Sequence, residues 1–371
     1  MRITVIGPAY PLRGGVSHHV YCLTENLRKR GNTVQLISFH KLYPNLLFPG
    51  TTEIDHSSVK LDAGGEALLS PLNPGTWRKA FRSIQTHAPA VVVLQWWQPF
   101  FAPMVGTLIR KLHKKAIRCL VECHNVVPHE SNPLDHGLTR FALRRADAFI
   151  THSENDRNEL LKIVSGKKIG VAPLPVANVF LGATPQKRDG RTILFFGKVR
   201  KYKGLEVLLA AMPKVLSKVD CHLMVVGEFY ESVEKYRDLI HKLGLADHVT
   251  IDDRYVSNEE VTGIFQRADV LVLPYLSASQ SAVAQIASAN ALPIIASKCG
   301  GLSEVVTENT NGLLFPPGDA EALADKLIDY FTNELGPQFA ENQRSAAVDN
   351  RERLSELIEQ LAQADVGNRT S

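Results

Sequence analysis

Two stretches of the chain place glycines directly before a predicted helix, and one of them adds lysines. Gly14 and Gly15 precede an apolar stripe at helical spacing, while Gly197 ends a strand-like run and is followed by Lys198 and Lys203. Glycines let backbone amides approach an anion closely, and the positive end of a helix favours negative charge. Two ammonium groups beside such a turn suit a diphosphate. Taken alone, Gly14 and Gly15 fit an ordinary flexible loop equally well.

A histidine at the end of a predicted strand is a second candidate for chemistry. His124 follows IRCLVEC (117–123), at the carboxyl end where open parallel sheets bind ligands. This position favours a functional role over a ring satisfied by backbone groups. Zinc with Cys119 and Cys123 is conceivable, but the sequence offers no second ligand pair. We therefore expect these cysteines in the core and no metal.

Short β-branched runs that alternate with amphipathic helices must position these residues. Continuous apolar runs separated by helices indicate parallel sheets covered on both faces. A polar stretch at 174–190 interrupts the pattern, which then restarts. We predict an α/β protein of two doubly wound Rossmann-like domains, 1–180 and 181–336, facing each other across a cleft, with a helical tail at 337–371. The predicted strands are RITVIG (2–7), TVQLISF (33–39), AVVVLQW (90–96), IRCLVEC (117–123), AFITHS (148–153), KIGVAP (168–173), TILFFG (192–197), HLMVVG (222–227), VTIDD (249–253), VLVLPY (270–275), PIIAS (293–297) and GLLF (312–315).

The composition is that of an ordinary globular protein. The 371 residues are 44% hydrophobic and 22% charged, and a net charge of +4 is too small to indicate a nucleic-acid partner. Five cysteines without a C-x-x-C pair fit reduced thiols in the cytosol. The amino terminus has no signal-peptide pattern, and no apolar run reaches the ~18–20 residues that span a bilayer. We expect a cytoplasmic protein, at most attached to a membrane.

Several motifs, in the same order along most of the chain, resemble those of glycosyltransferase family 4. The most informative is FFGKVRKYKGLEVLLAAM (195–212), in which a strand, a glycine, a basic residue and Lys-Gly precede a helix. The others are RGGVSHHV (13–20), CHNVVPHE (123–130), VVGEF (225–229), FQRADVLVLPY (265–275), LPIIASKCGGLSEVV (292–306) and NGLLFPPGDAEALADKL (311–327).

The resemblance implies a retaining transferase of the hexosyltransferase type with the GT-B fold. Such an enzyme would take a sugar from a UDP- or GDP-sugar and pass it to a glycan or lipid-linked acceptor, in polysaccharide or glycolipid biosynthesis. The nucleotide-sugar is a substrate, so no cofactor is expected. No D-x-D triplet occurs in the sequence, which is consistent with a metal-independent diphosphate site.

The resemblance also implies roles for individual residues. His124 would lie beside the donor sugar and support the transition state, while Lys198 and Lys203 would stabilise the departing diphosphate. In retaining transfer of this type the leaving phosphate takes the acceptor's proton, so no carboxylate nucleophile is required. Glu304 would either reach the sugar or cap its helix. The expected donor-binding residues are Gly14, Gly15, Gly197, Glu228, Val256, Gln280, Ser281, Ala282, Val283 and Glu304.

One motif of the family is altered in this chain. Relatives carry two glutamates where Ala278 and Ile286 stand here; the first typically holds the donor sugar and the second the ribose. Gln280 and Ser281 are the obvious polar substitutes. Each lost charged hydrogen bond is worth roughly 1.5–3 kcal/mol, which favours a weaker or changed donor. The alternative is a catalytically weak or inactive GT-B protein that binds nucleotide or glycan; a nucleotide-sugar epimerase is a weaker third interpretation.

The aromatic run LQWWQPFF (94–101) ends another strand. Trp96 and Trp97 are predicted to contact the acceptor, either a sugar ring or a lipid carrier. Because side chains alternate along a strand, the two should point to opposite faces, so that only one lies in the core. Phe100 and Phe101 fit packing beneath the following helix at least as well.

A basic helix is predicted at 103–115, where Leu108, Ile109 and Leu112 form an apolar stripe beside RKLHKKAIR (110–118). Such a helix can rest on anionic lipid, or it can pack its stripe on the sheet and leave its charges in water. We expect weak, salt-sensitive contact with an anionic membrane at its inner face.

Overall fold

The computed structural model describes residues 1–43, 52–126, 133–181, 191–345 and 350–364. The chain forms two compact units. The first comprises Met1–Asp55, Lys60–Ala177 and Asp349–Ser371, and the second comprises His56–Val59 and Asn178–Val348. The division after Ala177 falls inside the polar stretch 174–190, of which residues 182–190 lie outside the described part.

The first unit is built on a parallel sheet with the strand order β3-β2-β1-β4-β5-β6-β7 in the part of the chain that the structure describes. Its strands are β1 (Arg2–Ile6), β2 (Thr33–Phe39), β3 (Glu66–Leu69), β4 (Val91–Trp96), β5 (Arg118–Cys123), β6 (Ala148–Thr151) and β7 (Lys168–Val171). The helices of this unit are α1 (Gly15–Lys29), α2 (Pro74–His87), α3 (Ala102–Lys114), α4 (Pro133–Leu143), α5 (Glu154–Leu161) and, from the end of the chain, α13 (Asn350–Gln363).

Apolar side chains of this sheet point to both faces. In β4, Val92 and Leu94 belong to one buried cluster, and Val91 and Val93 belong to the other. This two-sided burial explains why the strands are continuous apolar runs in the sequence. The edge strand β3 was not predicted, because EALL contains no β-branched residue and its first two residues are exposed.

The second unit repeats the architecture, with the strand order β10-β9-β8-β11-β12-β13 among its described residues. The strands are β8 (Thr192–Phe196), β9 (His222–Val226), β10 (Val249–Asp252), β11 (Val270–Leu273), β12 (Ile294–Ser297) and β13 (Gly312–Phe315). The helices are α6 (Leu205–Leu216), α7 (Val233–Lys242), α8 (Asn258–Arg267), α9 (Ala282–Ala289), α10 (Leu302–Val305), α11 (Ala320–Thr332) and α12 (Gly336–Ser345). The predicted pair of doubly wound α/β domains is confirmed.

The last two helices belong to different units. Phe339 of α12 is buried in the core of the second unit. Leu354 and Ile358 of α13 are buried in the first unit, in the cluster that contains Leu23 of α1. At the surface, Arg30 forms ion pairs with Glu352, Glu356 and Glu359 of α13. The closing helix predicted for the tail therefore completes the first core.

The packing of α13 predicts a large stability effect of one side chain. Ile358 is fully buried, so Ile358→Ala should lower the free energy of unfolding by about 2–5 kcal/mol, through lost burial and the cavity that remains. Urea denaturation measures this change. The control Arg353→Ala, at an exposed position of the same helix, should change the free energy by less than about 0.5 kcal/mol. Equal, small effects of both substitutions would contradict the docking of α13.

Candidate functional site

A fully buried carboxylate lies at the centre of the polar site in the first unit. Glu122 in β5 has no exposed surface. It accepts hydrogen bonds from His19 Nε2 and from Gln95 Nε2, each at 2.7 Å. His152 Nε2 lies 3.3 Å from the oxygen that His19 contacts. Side chains from α1, from β4 and from the residue after β6 thus converge on one acidic group in β5.

The fold explains why these residues meet. Gln95 and Glu122 are register partners in the neighbouring parallel strands β4 and β5, so their side chains project from the same face. His19 comes from α1, and His152 directly follows β6, the next strand in the sheet. His124 follows β5, and its backbone N–H donates to the carbonyl of Trp96 at 2.8 Å.

His124, predicted as a catalytic residue, belongs to this cluster. Its Nε2 lies 2.6 Å from Gln95 Oε1. Its ring centroid is 4.7 Å from that of His19 and 5.1 Å from that of His152. Gln95, Glu122, His19 and His152 were not predicted. A signal existed, since Gln95 and Glu122 are polar residues inside otherwise apolar strands, a rare arrangement unless the two are paired.

The charges of the cluster are set by burial and by one another. Burial alone would raise the pKa of Glu122, but the neighbouring histidines, with the hydrogen bond from His19, outweigh it and hold this pKa below its usual range. Burial lowers the pKa of His152 to about 4. Burial, with electrostatic interactions with His19 and His152, also lowers the pKa of His124 well below its usual value. At neutral pH, Glu122 is therefore ionised and His124 is neutral.

The three histidines could also be considered as metal ligands. His19, His124 and His152 each offer a ring nitrogen, and these atoms lie within 4.8 Å of one another. One nitrogen of each ring is already hydrogen-bonded: to Glu122, to Gln95, and, for His152 Nδ1, to the carbonyl of Ala172 at 2.9 Å. A metal would have to use the remaining nitrogens. Cys119 and Cys123, considered for zinc from the sequence, are buried in the apolar core.

The second unit holds a buried cation beside a glycine turn. Gly197 ends β8 with φ +100°, a conformation that favours glycine. A Cβ added to it would lie 3.2 Å from Lys203 Nζ and 3.5 Å from Val283 Cγ2. Lys203 is 8% exposed, and burial lowers its pKa. Its Nζ lies 5.4 Å from the ring centroid of Tyr275. Gly197, Lys203 and Val283, predicted separately, are therefore neighbours.

Lys203 has no ionic partner within the chain as described. Across residues 1–43, 52–126, 133–181, 191–345 and 350–364 it forms no ion pair and no side-chain hydrogen bond. Lys198, in contrast, packs with Arg200 on the ring of Tyr230, at 5.1 Å and 4.7 Å from its centroid. The two predicted lysines therefore have different surroundings, and Lys203 is the buried one.

The start of α9 adds a second feature that favours an anion. Ser281 caps the helix by accepting a hydrogen bond from the amide of Ala284 at 3.2 Å. The first turn, with Ala282 and Val283, contains no acidic residue. An uncompensated helix amino terminus carries partial positive charge, which attracts a phosphate.

A pair of glycines supports the loop before α9. A Cβ on Gly300 would lie 1.7 Å from the carbonyl oxygen of Ala278, and one on Gly301 would lie 2.5 Å from Gln280 Nε2. The Gly301 amide donates to the carbonyl of Ser279 at 2.9 Å. No larger residue fits at either glycine without displacing this loop. Ile286, at the other altered position of the family motif, is half-buried in α9.

Other predicted donor-binding residues occupy varied positions. Glu228 and Val256 are buried, and the Glu228 carbonyl accepts from the Val199 amide. Glu304 is exposed in the first turn of α10. Gly14 is the N-cap residue of α1 and Gly15 its first residue, and a Cβ on either would meet nothing within 4 Å. Residues 127–130 of the CHNVVPHE motif lie outside the described residues.

The two predicted acceptor tryptophans differ in access. Trp96 has no exposed surface and lies in the apolar core, so the prediction that it contacts an acceptor does not fit its burial. Trp97 is half-buried against the same core, and its Nε1 donates to the hydroxyl of Tyr43 at 3.1 Å. Phe101 is buried, as expected beneath α3. Trp97 remains the acceptor candidate.

The apolar stripe of the basic helix α3 packs in the core of the first unit. Leu108, Ile109 and Leu112 are fully buried in the first unit, so the stripe packs inside the protein, as the second alternative had it, and is not available to contact lipid. Arg110 and Lys114 remain exposed. None of the described helices is long and apolar enough to cross a membrane.

Two family models match the chain. The model described as Glycosyltransferase Family 4 matches residues 13–177, and the model described as Glycosyl transferases group 1 matches residues 190–333. A phosphatidyl-myo-inositol mannosyltransferase of Mycobacterium leprae is 25% identical over 377 residues, covering 90% of this chain and 88% of that protein. An uncharacterized glycosyltransferase of Methanocaldococcus jannaschii is 30% identical over 136 residues, covering 37% of this chain and only 34% of that protein.

Solved structures show the same fold. Sucrose-phosphate synthase from Thermosynechococcus elongatus superimposes with a TM-score of 0.75 at 21% identity, covering 98% of this chain and all of that chain (100%). Anabaena HepE in complex with UDP-glucose superimposes with a TM-score of 0.72 at 14% identity, covering 96% of this chain and 99% of that chain. With a family model matching each half and GT-B neighbours along nearly its full length, the chain belongs to glycosyltransferase family 4 and has the GT-B fold.

Proposed function

We propose that this chain is a retaining, metal-independent hexosyltransferase. It takes a sugar from a UDP- or GDP-sugar and passes it to a glycan or lipid-linked acceptor in polysaccharide or glycolipid biosynthesis. The observation that carries the proposal is Lys203, a buried cation beside Gly197 without an ionic partner among the described residues. Burying an unpaired charge is costly, so such a site is explained by an anionic ligand that supplies the missing charge.

The proposed ligand of Lys203 is the diphosphate of the donor. The amino terminus of α9 lies at the same turn, through Val283, and adds backbone amides without a carboxylate. Preorganised cations and amides stabilise the negative charge that develops as the sugar–phosphate bond breaks. The UDP-glucose complex of HepE and the mannosyltransferase activity named for the M. leprae relative support this class of donor.

His124 is proposed to contact the transferred sugar. Because its ring is neutral at neutral pH, it acts as a hydrogen-bonding group rather than as a fixed positive charge. The acceptor's proton goes to the leaving phosphate on the same face of the sugar, which requires no carboxylate base. Trp97 is proposed to contact the acceptor.

The altered motif changes how the donor is held. With Ala278 and Ile286 in place of glutamates, the ribose and sugar hydroxyls lose two charged partners. Gln280 and Ser281, in the loop held by Gly301, are the proposed polar substitutes. We expect weaker donor binding or a changed sugar preference, while the charge stabilisation by Lys203 is retained.

Replacing the buried lysine tests the assignment. Lys203→Ala should reduce sugar transfer by about 10²–10³-fold, the usual cost of removing one group that stabilises a developing anion. Transfer is measured with a panel of UDP- and GDP-sugars, with circular dichroism to verify folding. Lys201→Ala, an exposed lysine of the same turn, is the matched control and should retain activity. Unchanged transfer by Lys203→Ala would contradict the proposal.

Calorimetry with nucleoside diphosphates separates the proposed enzyme from the alternative. Binding without turnover of any donor would favour a GT-B protein that holds nucleotide or glycan, the interpretation that Ala278 and Ile286 leave open.

Metal removal provides a second prediction. Treatment with EDTA should leave the transfer rate within about twofold, because lysine and backbone amides, rather than a cation, meet the diphosphate charge. The rate is compared before and after dialysis and after addition of Mg²⁺, Mn²⁺ or Zn²⁺. A loss that one of these ions restores would refute metal independence and direct attention to His19, His124 and His152.

We propose that the protein acts in the cytoplasm, with peripheral membrane contact at the inner face limited to electrostatic attraction. Exposed Arg110 and Lys114 can each contribute about 1 kcal/mol near anionic lipid, whereas the apolar stripe of α3 is buried. Co-sedimentation with anionic vesicles should be weak at low salt and absent at moderate salt. Binding that persists at moderate salt would indicate an apolar contact elsewhere.

A further inference from the structure

We propose that Glu122, acting through Gln95, holds His124 in the tautomer that carries its proton on Nε2 and leaves Nδ1 as a hydrogen-bond acceptor. Glu122 and Gln95 are positioning residues for His124. The inference rests on the proposed function only where it assigns a use to His124; the tautomer itself follows from the hydrogen bonds of the first unit.

The first step is the orientation of the Gln95 amide. An ionised carboxylate can only accept hydrogen bonds. The contact of 2.7 Å to Glu122 must therefore be made by the NH₂ group of Gln95. The reverse orientation would place an amide oxygen against a carboxylate oxygen in a buried site, where Gln95 is only 2% exposed and Glu122 is fully buried.

The second step transmits that orientation to the histidine. With its NH₂ group turned to Glu122, Gln95 presents its carbonyl oxygen to His124 Nε2 at 2.6 Å. A carbonyl oxygen only accepts, so Nε2 must carry the proton. Since the ring is neutral, Nδ1 keeps its lone pair. The acidic group thus determines which nitrogen of a ring two hydrogen bonds away is protonated.

The packing around Gln95 keeps this chain of hydrogen bonds in place. A Cβ on Gly7 would lie 2.6 Å from Gln95 Cγ and 2.7 Å from Val20 Cγ2. The Gln95 side chain therefore lies directly against the backbone at the end of β1. On the other side, the Glu122 oxygen that does not contact Gln95 is occupied by His19 at 2.7 Å. Neither side chain can turn away without leaving a buried polar group unpaired.

This arrangement defines the chemical group that His124 can recognise. A neutral ring with an Nδ1 lone pair accepts a hydrogen bond from a hydroxyl and offers no donor at that nitrogen. On the proposed function, the partner is a hydroxyl of the transferred sugar. The opposite tautomer would present an N–H at Nδ1 and lose that contact.

Nuclear magnetic resonance of the full-length protein with ¹⁵N-labelled histidine tests the proposal. Two-bond correlations of ring nitrogens with carbon-bound protons distinguish the tautomers, and the signals of His124 are assigned by their loss in His124→Asn. We expect one Nε2–H tautomer in the native protein. In Glu122→Gln the new amide can donate as well as accept, so Gln95 can reverse, and the His124 nitrogens should shift to averaged values from two tautomers. His152→Asn perturbs the same cluster without touching Gln95 and should leave the single tautomer intact.

A second variant keeps the test valid if Glu122→Gln fails to fold. Gln95→Leu removes the carbonyl oxygen that accepts from His124 Nε2, so both neutral tautomers of His124 should then be populated. An Nδ1–H tautomer in the native protein, or unchanged His124 nitrogens in the folded variants, would overturn the proposal. Sugar transfer by the variants should fall by about tenfold, the effect of one neutral hydrogen bond. If the variants show both tautomers of His124 but transfer sugar at the native rate, this would instead contradict the role proposed for His124 in catalysis.

Discussion

The need to neutralise a buried carboxylate governs the polar site of the first unit. Glu122 sits in the middle of a sheet covered on both faces, where an uncompensated charge would be strongly destabilising. Its two oxygens are therefore met by His19 and Gln95, with His152 close by. The strand register and the first helix bring these groups together, so the fold of the unit itself positions the side chains of the site.

The buried charge of the second unit differs from Glu122, because the described residues supply no opposite charge beside it. Lys203 is buried beside Gly197, and the described residues give it no carboxylate. In the first unit, the described residues supply the hydrogen-bond partners of the buried charge, and this fixes the direction of the hydrogen bond at His124. In the second unit, the described residues supply no opposite charge, so the site can bind a ligand that carries one. The contrast fits the proposed roles, in which His124 contacts the sugar and Lys203 binds the diphosphate.

The sequence predicted the architecture well because both sheets are parallel and buried, which produces continuous apolar runs with turns after each strand. The edge strand β3 was not predicted, since its residues do not form such an apolar run. At the site, Gly197 and Lys203 were found because a glycine turn with lysines is a local pattern. The cluster around Glu122 was missed because its members lie far apart in the sequence, His19 being 103 positions from Glu122, and only the strand register and the packing of α1 bring them together. Burial of Trp96 and of the α3 stripe likewise depends on tertiary packing that alternation and helical spacing do not determine.

The central physical claim is that Lys203, which is buried and has no ionic partner among the described residues, binds a diphosphate. Isothermal titration calorimetry of UDP against uridine, and of GDP against guanosine, tests it most directly, because each pair differs only in the diphosphate. For the preferred base, we expect the diphosphate to bind at least about 100-fold more tightly than the nucleoside, a difference of about 2.7 kcal/mol. Equal affinities within each pair, or no diphosphate binding at all, would contradict it.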